Sequence, residues 1–427
     1  MKNRSSRISG FYKKTTEERA AILREWLGRA ANAALPLHGG LMLEQANVMI
    51  ENVVGTYNLP FGVATNFQIN GRDYLIPMVI EEPSVVAACS NAARLFRDGG
   101  GFKTSSDEPV MIGQIQVLDV VEPHVAAEKV LQHKTELMAA VDAQGGSIVR
   151  RGGGARDITV RVFEDTVVGP MLVVHLLMDT RDAMGANAIN TAVEHIAPQI
   201  EAITDGRVNL RILSNLTDQR KARAEGMIPA ESLTTDDLGG DQVVQAIVEA
   251  GVFAEVDPYR AATHNKGVMN GIDAVILATG NDWRAVEAGA HAYAARDGHY
   301  GSMTRWWRDA EGNLRGSIEL PLSVGTVGGA TRVHPTAQLA LEILGIEDAR
   351  QLAEVMAAVG LAQNFAAIRA LATEGIQHGH MRMHARQLAM AAGAPPELVT
   401  HIAQTMIDEK HIRLERAKAL LDQLSKE

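Results

Sequence analysis

The chain has 427 residues, 46% of them hydrophobic and 22% charged, so it is long enough for roughly two or three globular domains. Its formal net charge of −10 at neutral pH excludes a broadly basic surface, and we expect no nucleic acid as a partner. One cysteine, Cys89, excludes an intrachain disulfide, and no membrane-spanning run or signal peptide is evident, so we expect a cytoplasmic protein without membrane attachment.

The first hundred residues predict helices around a β-hairpin. Asn70-Gly71 separates two apolar runs and is a residue pair favoured in tight hairpin turns. The second run leads to two adjacent glutamates, Glu81 and Glu82, just before the next helix. Such glutamates usually complement the positive end of a helix, and the functional alternative is that one of them faces a crevice. The predicted helices are 15–28, 41–50 and 85–97, and the predicted strands are 62–69 and 74–80.

Residues 110–216 predict a separate unit with the element order β-α-β-β-α-β, which is the ferredoxin-like arrangement. The glycines at 152–154 lack GxGxxG spacing, so the unit is not a dinucleotide-binding Rossmann domain. Its second helix begins near Gly185, where the missing side chain would let a pyrophosphate approach the exposed N–H groups. A glycine cap without any ligand is at least as common. The predicted strands are 110–121, 157–163, 171–178 and 208–213, and the predicted helices are 126–141 and 186–203.

Residues 257–290, which follow a polar and helical segment at 218–256, contain the clearest candidates for chemistry. We place Lys266 in a polar turn before a buried strand at 274–278, with Asp282 directly after that strand. A lysine beside a carboxylate in one crevice can polarise a carbonyl group. The simpler alternative is a surface lysine and an aspartate that caps a helix.

The remainder of the chain is mostly helical and ends in a small domain hinged near 375–379. Among His378, His380 and His384 only the last two have i, i+4 spacing, and no HExxH motif or cysteine partner accompanies them, so we expect no metal ion. A histidine at the mouth of a mobile domain suits proton transfer better. The predicted elements are a strand at 316–324, a glycine-rich turn at 325–329, helices at 334–346, 348–359 and 361–373, and further helices in the tail.

Eight short motifs occur in the order found in one enzyme family and span essentially the whole chain. One such motif would be weak evidence, whereas eight in order are highly specific. On these motifs the chain resembles class II, or bacterial, 3-hydroxy-3-methylglutaryl-CoA (HMG-CoA) reductase. The motifs are ENVVG at 51–55, NFQINGRD at 66–73, EEPS at 81–84, TRDAMGAN at 180–187, ATHNKG at 262–267, TGNDW at 279–283, GTVGG at 325–329 and HGH at 378–380.

The resemblance implies the four-electron interconversion of HMG-CoA with mevalonate and CoA, with two NAD(P)H and bound mevaldehyde, in mevalonate synthesis or degradation. It implies that Lys266 stabilises or protonates the oxyanion formed by hydride addition. Glu82 and Asp282 would hold this lysine and tune its proton exchange. His380 would protonate the departing CoA thiolate, because an imidazole can carry a proton near neutral pH.

The resemblance also implies the binding sites. HMG-CoA would bind the large domain, with Arg260 available for its carboxylate. For the cofactor, NADH is preferred narrowly over NADPH. NADH-using relatives carry an acidic residue where this chain has Gly145 or Gly146, so Asp142 is the candidate for the ribose hydroxyl, and the alternative is a 2′-phosphate bound by Arg150 and Arg151. The implied dinucleotide contacts are Asp182, Met184, Gly185, Ala186, Asn187, Asn215, Val327 and Gly328, and the implied substrate contacts are Ser84, Arg260, Thr263 and Asn270.

An α+β fold with four segments follows from the same resemblance. A large α/β domain, 1–109 and 217–375, would bind substrate and CoA, an inserted ferredoxin-like domain, 110–216, would bind NAD(P), and a mobile helical flap, 376–427, would close the site. The resemblance implies a homodimer with shared active sites, to which the ENVVG motif contributes across the interface, and further packing into a trimer of dimers.

Two other functions stay open from the sequence. One is a different nicotinamide-dependent acyl-CoA or aldehyde reductase, and the other is a catalytically silent CoA-binding protein. The presence of all four candidate catalytic residues argues against the silent protein.

Overall fold

Two β-sheets organise the protein. The computed structural model describes residues 4–37, 40–373 and 376–424, with backbone alone for 376–383. The larger sheet has the strand order β2-β1-β3-β8-β10-β9, and the smaller has the order β5-β6-β4-β7. The strands are β1 Phe61–Ile69, β2 Arg72–Val79, β3 Phe102–Ser106, β4 Val110–Leu118, β5 Gly154–Phe163, β6 Met171–Asp179, β7 Arg207–Ser214, β8 Lys221–Ile228, β9 Thr304–Arg308 and β10 Leu314–Pro321.

Helices cover both sheets and form a separate C-terminal unit. They are α1 Thr16–Leu27, α2 Leu43–Met49, α3 Val85–Asp98, α4 Pro123–Gln132, α5 Lys134–Gln144, α6 Gly146–Arg150, α7 Ala186–Thr204, α8 Gly240–Val256, α9 Pro258–Ala278, α10 Trp283–Ala294, α11 Gly329–Val333, α12 Pro335–Leu344, α13 Ala349–Ala372, α14 Ile376–Ala391, α15 Pro396–Asp408 and α16 Leu414–Leu424.

The smaller sheet has the predicted ferredoxin-like element order. All three of its strand pairings are antiparallel, and its two inner strands are the first and third along the chain, β4 and β6. The first predicted helix is divided at His133 into α4 and α5. Helix α7 packs on this sheet with an apolar face that includes Ile189, Val193 and Ile196. This sheet therefore has a core of its own, separate from the core of the larger sheet.

The large core is built around α9 and α13, which contact each other more extensively than any other pair of helices described. Among the described residues, α13 is long and apolar enough to cross a membrane, which corrects the expectation that no such run exists. However, 67% of the most apolar 18-residue stretch of this helix is buried inside the protein. This is the environment of a core helix in a globular domain.

The segment around Lys266 differs most from the prediction. Residues 274–278 are the last turn of α9 rather than a strand, and Lys266 lies in the middle of this 21-residue helix rather than in a turn. The prediction was wrong because a short apolar run looks the same in a buried strand and in a helix buried on several sides. Gly267 and Gly271 lower helix propensity but allow α13 to approach closely.

Two further predictions are corrected, two short strands were not predicted, and one prediction lies partly outside the described residues. Residues 221–228, assigned to a polar helical segment, form β8 between β3 and β10. The short strands β3 and β9 were not predicted. The helices predicted at 348–359 and 361–373 are one continuous helix, because Gly360 sits inside α13 against Ile272 of α9. The predicted hinge at 375–379 lies partly outside the described residues, and the backbone is helical from residue 376.

The close contact of α9 with α13 predicts different effects at two glycines of α9. A Cβ at Gly271 would lie 2.8 Å from the Cβ of Gln363 and 3.1 Å from the carbonyl oxygen of Val359. Gly271→Ala should therefore destabilise the protein by about 1–3 kcal/mol through overpacking. Gly267→Ala is the matched control, since its Cβ would lie 3.6 Å from Ala367 and should be tolerated. Thermal unfolding midpoints measure both, and an equal midpoint for the two variants would contradict the packing.

Candidate active site

One face of α9 presents a row of polar side chains. Arg260, Thr263, Lys266 and Asn270 lie within about a third of the helix circumference, because successive residues turn by about 100°. All four are half-buried or exposed. The opposite face buries apolar residues, which fixes the row toward the outside of the core.

Lys266 pairs with Glu82, a residue from a distant part of the chain. Lys266 Nζ lies 2.6 Å from Glu82 Oε2, and the lysine side chain is 59% exposed. Glu82 belongs to the short loop between β2 and α3. In the same loop Ser84 has φ 74°, a left-handed conformation that is uncommon outside glycine and that clusters at functional sites. An exposed ion pair contributes little to stability, so this pair fits a chemical role better than a structural one.

Arg260 is a half-buried cation at the start of the row. Among the described residues, no carboxylate pairs with its guanidinium group. Burial holds the pKa of Arg260 below its ordinary value, although the group stays charged at neutral pH. A partly desolvated arginine without an acidic partner is suited to bind the carboxylate of a ligand.

Behind the polar row lies a buried hydrogen-bond cluster. His264 Nε2 lies 2.7 Å from Thr304 Oγ1, and Thr304 donates to Asn364 Oδ1 at 2.9 Å. Trp306 Nε1 also donates to Asn364 Oδ1, while Asn364 Nδ2 donates to the backbone carbonyl of His264. Burial lowers the pKa of His264 to about 3, so the ring is neutral at physiological pH. The cluster holds α9 in one rotation and places Lys266 outward.

A second group of candidate residues lies at the start of α7. Gly185 precedes this helix with φ 104°, and a Cβ there would lie within 2.6–2.9 Å of three atoms of Thr180, so only glycine fits. No side chain caps the helix, and Ala186 and Asn187 form its first turn. This N-terminus is thus open to an anionic group.

The loop before α7 lies beside the glycine-rich turn at 325–329. Thr326 N–H donates to the carbonyl oxygen of Asp182 at 2.9 Å, and Val327 pairs with Ala183 in an isolated β-bridge. The predicted dinucleotide contacts Asp182, Met184, Val327 and Gly328 therefore come together. Asn215 lies in the loop after β7, where its carbonyl oxygen faces Gly289.

Arg220 joins these two loops and was missed from the sequence. It is buried, and its guanidinium donates to the carbonyl oxygens of Ala183, Met184 and Val324. Burial lowers its pKa to about 10, which leaves it charged at neutral pH. No sequence pattern indicated this role, because Arg220 lies in the segment 218–256, which was predicted to be polar and helical.

Asp282 lies with the second group and not beside Lys266. It caps α10, accepting from the backbone N–H groups of Arg284 and Ala285 at 3.1 and 3.2 Å, which confirms the capping alternative. The neighbouring Asn281 accepts from Gly325 N–H at 2.8 Å. Helix α9 continues for twelve residues beyond Lys266, or about 18 Å at 1.5 Å per residue. The single crevice predicted for Lys266 and Asp282 is therefore absent within one chain.

The structure describes the C-terminal histidines only in part. The side chains of His378 and His380 belong to the residues given by backbone alone, and His384 is exposed on α14. Among the side chains described, no group of His, Cys, Asp and Glu has the arrangement of a metal site.

Comparisons with known proteins agree on one family. A family model described as hydroxymethylglutaryl-coenzyme A reductase matches residues 15–385. The chain is 53% identical over 98% of its length to the 3-hydroxy-3-methylglutaryl-coenzyme A reductase of Archaeoglobus fulgidus, covering 95% of that protein. It is 33% identical over 80% of its length to a probable enzyme of the same name from Borreliella burgdorferi, covering 77% of it.

Solved structures agree with the sequence matches. The reductase of Streptococcus pneumoniae superposes with a TM-score of 0.81 at 40% identity, covering 97% of this chain and 99% of that one. A class II reductase of the same organism, bound to NADPH in open conformations, gives a TM-score of 0.80 at 40% identity, covering 96% of this chain and 100% of that one. The mixed α+β fold with two sheets matches both.

Proposed function

Since the chain belongs to the hydroxymethylglutaryl-coenzyme A reductase family, an oxidoreductase family, we propose that Lys266 and Glu82 form its catalytic centre together with Asp282 and His380. The observation that carries this proposal is the 2.6 Å contact between Lys266 Nζ and Glu82 Oε2 on an exposed helix face. A cation held by a carboxylate is suited to stabilise an oxyanion and to exchange a proton with it.

The residues have complementary tasks in the two reductions. A nicotinamide cofactor held at the start of α7 would supply the two hydrides, one for the thioester carbonyl and one for the aldehyde. Lys266 stabilises the oxyanion formed each time and delivers a proton to the final alcohol, with Glu82 beside it to hold and exchange that proton. When the carbon–sulfur bond breaks, the electron pair leaves with the CoA sulfur, and His380 protonates this thiolate.

The polar row on α9 supports HMG-CoA as the substrate. Arg260 and Lys266 are six residues apart, which separates them by about 9 Å along the helix axis. Their flexible side chains can therefore contact the two ends of one short acid, with the carboxylate at Arg260 and the reacting carbonyl at Lys266. Ser84, Thr263 and Asn270 border the same surface and provide polar contacts.

Arg260→Ala tests this substrate assignment. Loss of a charge-assisted contact should raise the KM for HMG-CoA by about ten- to a hundredfold. The inhibition constant of free CoA, which lacks the acid, should stay within about twofold. Steady-state assays of nicotinamide absorbance measure both quantities. Equal weakening of HMG-CoA and CoA would instead place Arg260 against the CoA portion.

The separation of Lys266 from Asp282 supports a homodimer with shared active sites. One chain carries the substrate row at one part of α9 and the dinucleotide loops near its C-terminal end, too far apart to act on one carbonyl. A partner chain resolves this if Asp282 of the partner subunit faces Lys266. The exposed apolar side chains near the ENVVG motif support such a contact. Their exposed fractions are 63% for Met42, 81% for Val48, 66% for Ile50, 100% for Val54 and 89% for Tyr57.

Mixed dimers test the shared site. Lys266→Ala and Asp282→Asn should each lower kcat about a hundredfold or more as homodimers. A heterodimer of the two variants, isolated with two different tags, should regain about half the wild-type turnover, because one of its two sites is intact.

The control heterodimer combines Lys266→Ala with Glu82→Gln. Both residues come from the same chain, so each of its sites lacks one of them and the heterodimer should stay inactive. An inactive Lys266→Ala/Asp282→Asn heterodimer would contradict the shared site.

We infer that nicotinamide dinucleotide binds at the start of α7, with the 2′ position of its ribose near α6. Arg181 donates to the carbonyl oxygen of Gly152, which ties the loop after α6 to the loop before α7. Asp142 Oδ1 accepts from Ala155 N–H at 2.7 Å, so this oxygen already has a partner. Arg150 and Arg151 are exposed and have no partner among the described residues. These observations favour NADPH over NADH, the reverse of the narrow preference drawn from the sequence.

A double variant, Arg150→Ala/Arg151→Ala, tests this choice. Removing two cations near a 2′-phosphate should raise the KM for NADPH at least tenfold and change the KM for NADH less than about twofold. Arg211→Ala, an exposed arginine on β7, is the control and should change neither constant. An equal rise in both constants would assign the arginines to the shared pyrophosphate.

The remaining features of the proposal concern organisation and location. Of the four hydrophobic clusters among the described residues, three support a large substrate domain, an inserted dinucleotide domain and a helical flap. A trimer of dimers stays a prediction.

The buried thiol of Cys89 supports a cytoplasmic location, because the protein needs no oxidising compartment. The proposed chemistry requires no metal ion.

A further inference from the structure

A continuous hydrogen-bond network runs from α9 through α10 and back to α9. Asp273 is paired with Glu287, and its buried Oδ1 has no hydrogen-bond donor among the described residues unless the two carboxyl groups share a proton. Glu287 Oε2 lies 2.7 Å from His291 Nε2, and His291 Nδ1 lies 2.8 Å from the hydroxyl of Tyr300. Asn265 Nδ2 donates to that hydroxyl at 2.9 Å. None of these residues belongs to the proposed catalytic or binding set.

The donors and acceptors of this network are satisfied with one proton shared by the two carboxyl groups. Asn265 donates to Tyr300, whose hydroxyl donates to Nδ1 of His291. The other ring nitrogen then donates to Glu287, and a protonated Asp273 also donates to Glu287. A second negative charge would leave two carboxylates in contact, which is costly in a partly buried position.

The two ends of the network enclose the functional part of α9. Asn265 and Asp273 are eight residues apart, or about 12 Å along the axis, and Lys266 and Asn270 lie between them. Asn265 is further fixed by the backbone, since its Nδ2 donates to Gly301 O and its Oδ1 accepts from Met303 N–H, each at 2.9 Å. The network is therefore a clamp on the helix segment that presents the reactive lysine.

We propose that Asp273, Glu287, His291 and Tyr300 are positioning residues, whose clamp holds Lys266 and Asn270 in the productive orientation. This inference rests on the proposed role of Lys266. It adds residues that act through the lysine, without contact to the reacting atoms. A small displacement of a catalytic group can lower turnover strongly while binding is largely retained.

The electrostatics of the pair agree with this arrangement. Burial, followed by the hydrogen bond and charge of Glu287, raises the pKa of Asp273 to about 8. The hydrogen bond from His291 is the main reason that the pKa of Glu287 is lowered. Burial likewise raises the pKa of Tyr300. Glu287 and His291 on α10 and Tyr300 in the following loop are the ionisable groups of the network that face Asp273 or its partner.

The raised pKa has a defined sign for stability. The folded protein holds a proton on Asp273 that the unfolded chain releases above the ordinary aspartate pKa near 4. The contribution of Asp273 to the free energy of unfolding is thus fully present below about pH 4 and is lost progressively as the pH rises to about 8. Above pH 8 the clamp also loses its internal hydrogen bond, and the two carboxylates repel each other.

Two substitutions at one position test the clamp. Asp273→Leu removes the hydrogen bond and should lower kcat about tenfold at pH 7, with the KM for HMG-CoA within about twofold. Asp273→Asn keeps an N–H donor for Glu287 but cannot ionise, so it should restore most of this kcat. It should also lose a smaller fraction of its kcat between pH 7 and pH 9 than the wild type does.

Hydrogen–deuterium exchange of residues 258–278 gives a readout that does not depend on activity. After correction for intrinsic rates, exchange should be faster at pH 9 than at pH 7 in the wild type and nearly unchanged in Asp273→Asn. Asp297→Asn, at an exposed aspartate outside the network, is the control and should behave like the wild type in both assays.

Two results would overturn the inference. One is an alkaline loss of kcat in Asp273→Asn equal to that of the wild type. The other is a full kcat at pH 7 in a folded Asp273→Leu variant. If Lys266→Ala retained wild-type turnover, the catalytic assignment would fall instead, and exchange in α9 would still decide whether the clamp exists.

Discussion

The packing of α9 against α13 is the contact on which the rest of the site depends. At Gly271 and Gly360 an added Cβ would collide with side chains of the facing helix, and Gly267 lies next to Ala367. A helix held this closely has little freedom to rotate or slide, since interiors are packed at the density of molecular crystals. The orientation of Lys266 is consequently a property of the core and not of the lysine itself.

Buried polar groups add direction to this packing. Apolar contacts have no preferred direction, whereas hydrogen bonds between His264, Thr304 and Asn364 require one alignment. The low pKa of His264 keeps this cluster uncharged, so no buried positive charge opposes Lys266. Arg220 has the comparable task in the second group of candidate residues, where this buried cation donates hydrogen bonds to backbone carbonyl oxygens of two loops.

The length of α9 divides the chemistry between two places. Its middle carries Lys266 and the row of polar side chains, and the loop after its end carries Asp282 beside the glycine-rich turn. In the proposed function, one chain therefore presents half of a site at each place. The proposed two-fold symmetric pair would complete both halves at once.

Several features follow from the sequence by itself. Asn70-Gly71 specifies its hairpin because few residue pairs adopt that turn, and the alternation of strands and helices in 110–216 predicts the ferredoxin-like order. The ordered motifs identified the family, and the family comparisons confirmed it. These features depend on local conformation or on short stretches of residues, so they can be read without knowledge of the fold.

Other features were decided by tertiary structure. Residues 274–278 form the end of a helix because α13 and the larger sheet surround them, and a short apolar run carries no signal of that environment. Strand β8 exists because β3 and β10 pair with it on either side. The pairing of Lys266 with Glu82 joins residues 184 positions apart, and the separation of Lys266 from Asp282 follows from the unbroken length of α9. Contacts of this kind depend on how distant segments pack, which local sequence patterns do not encode.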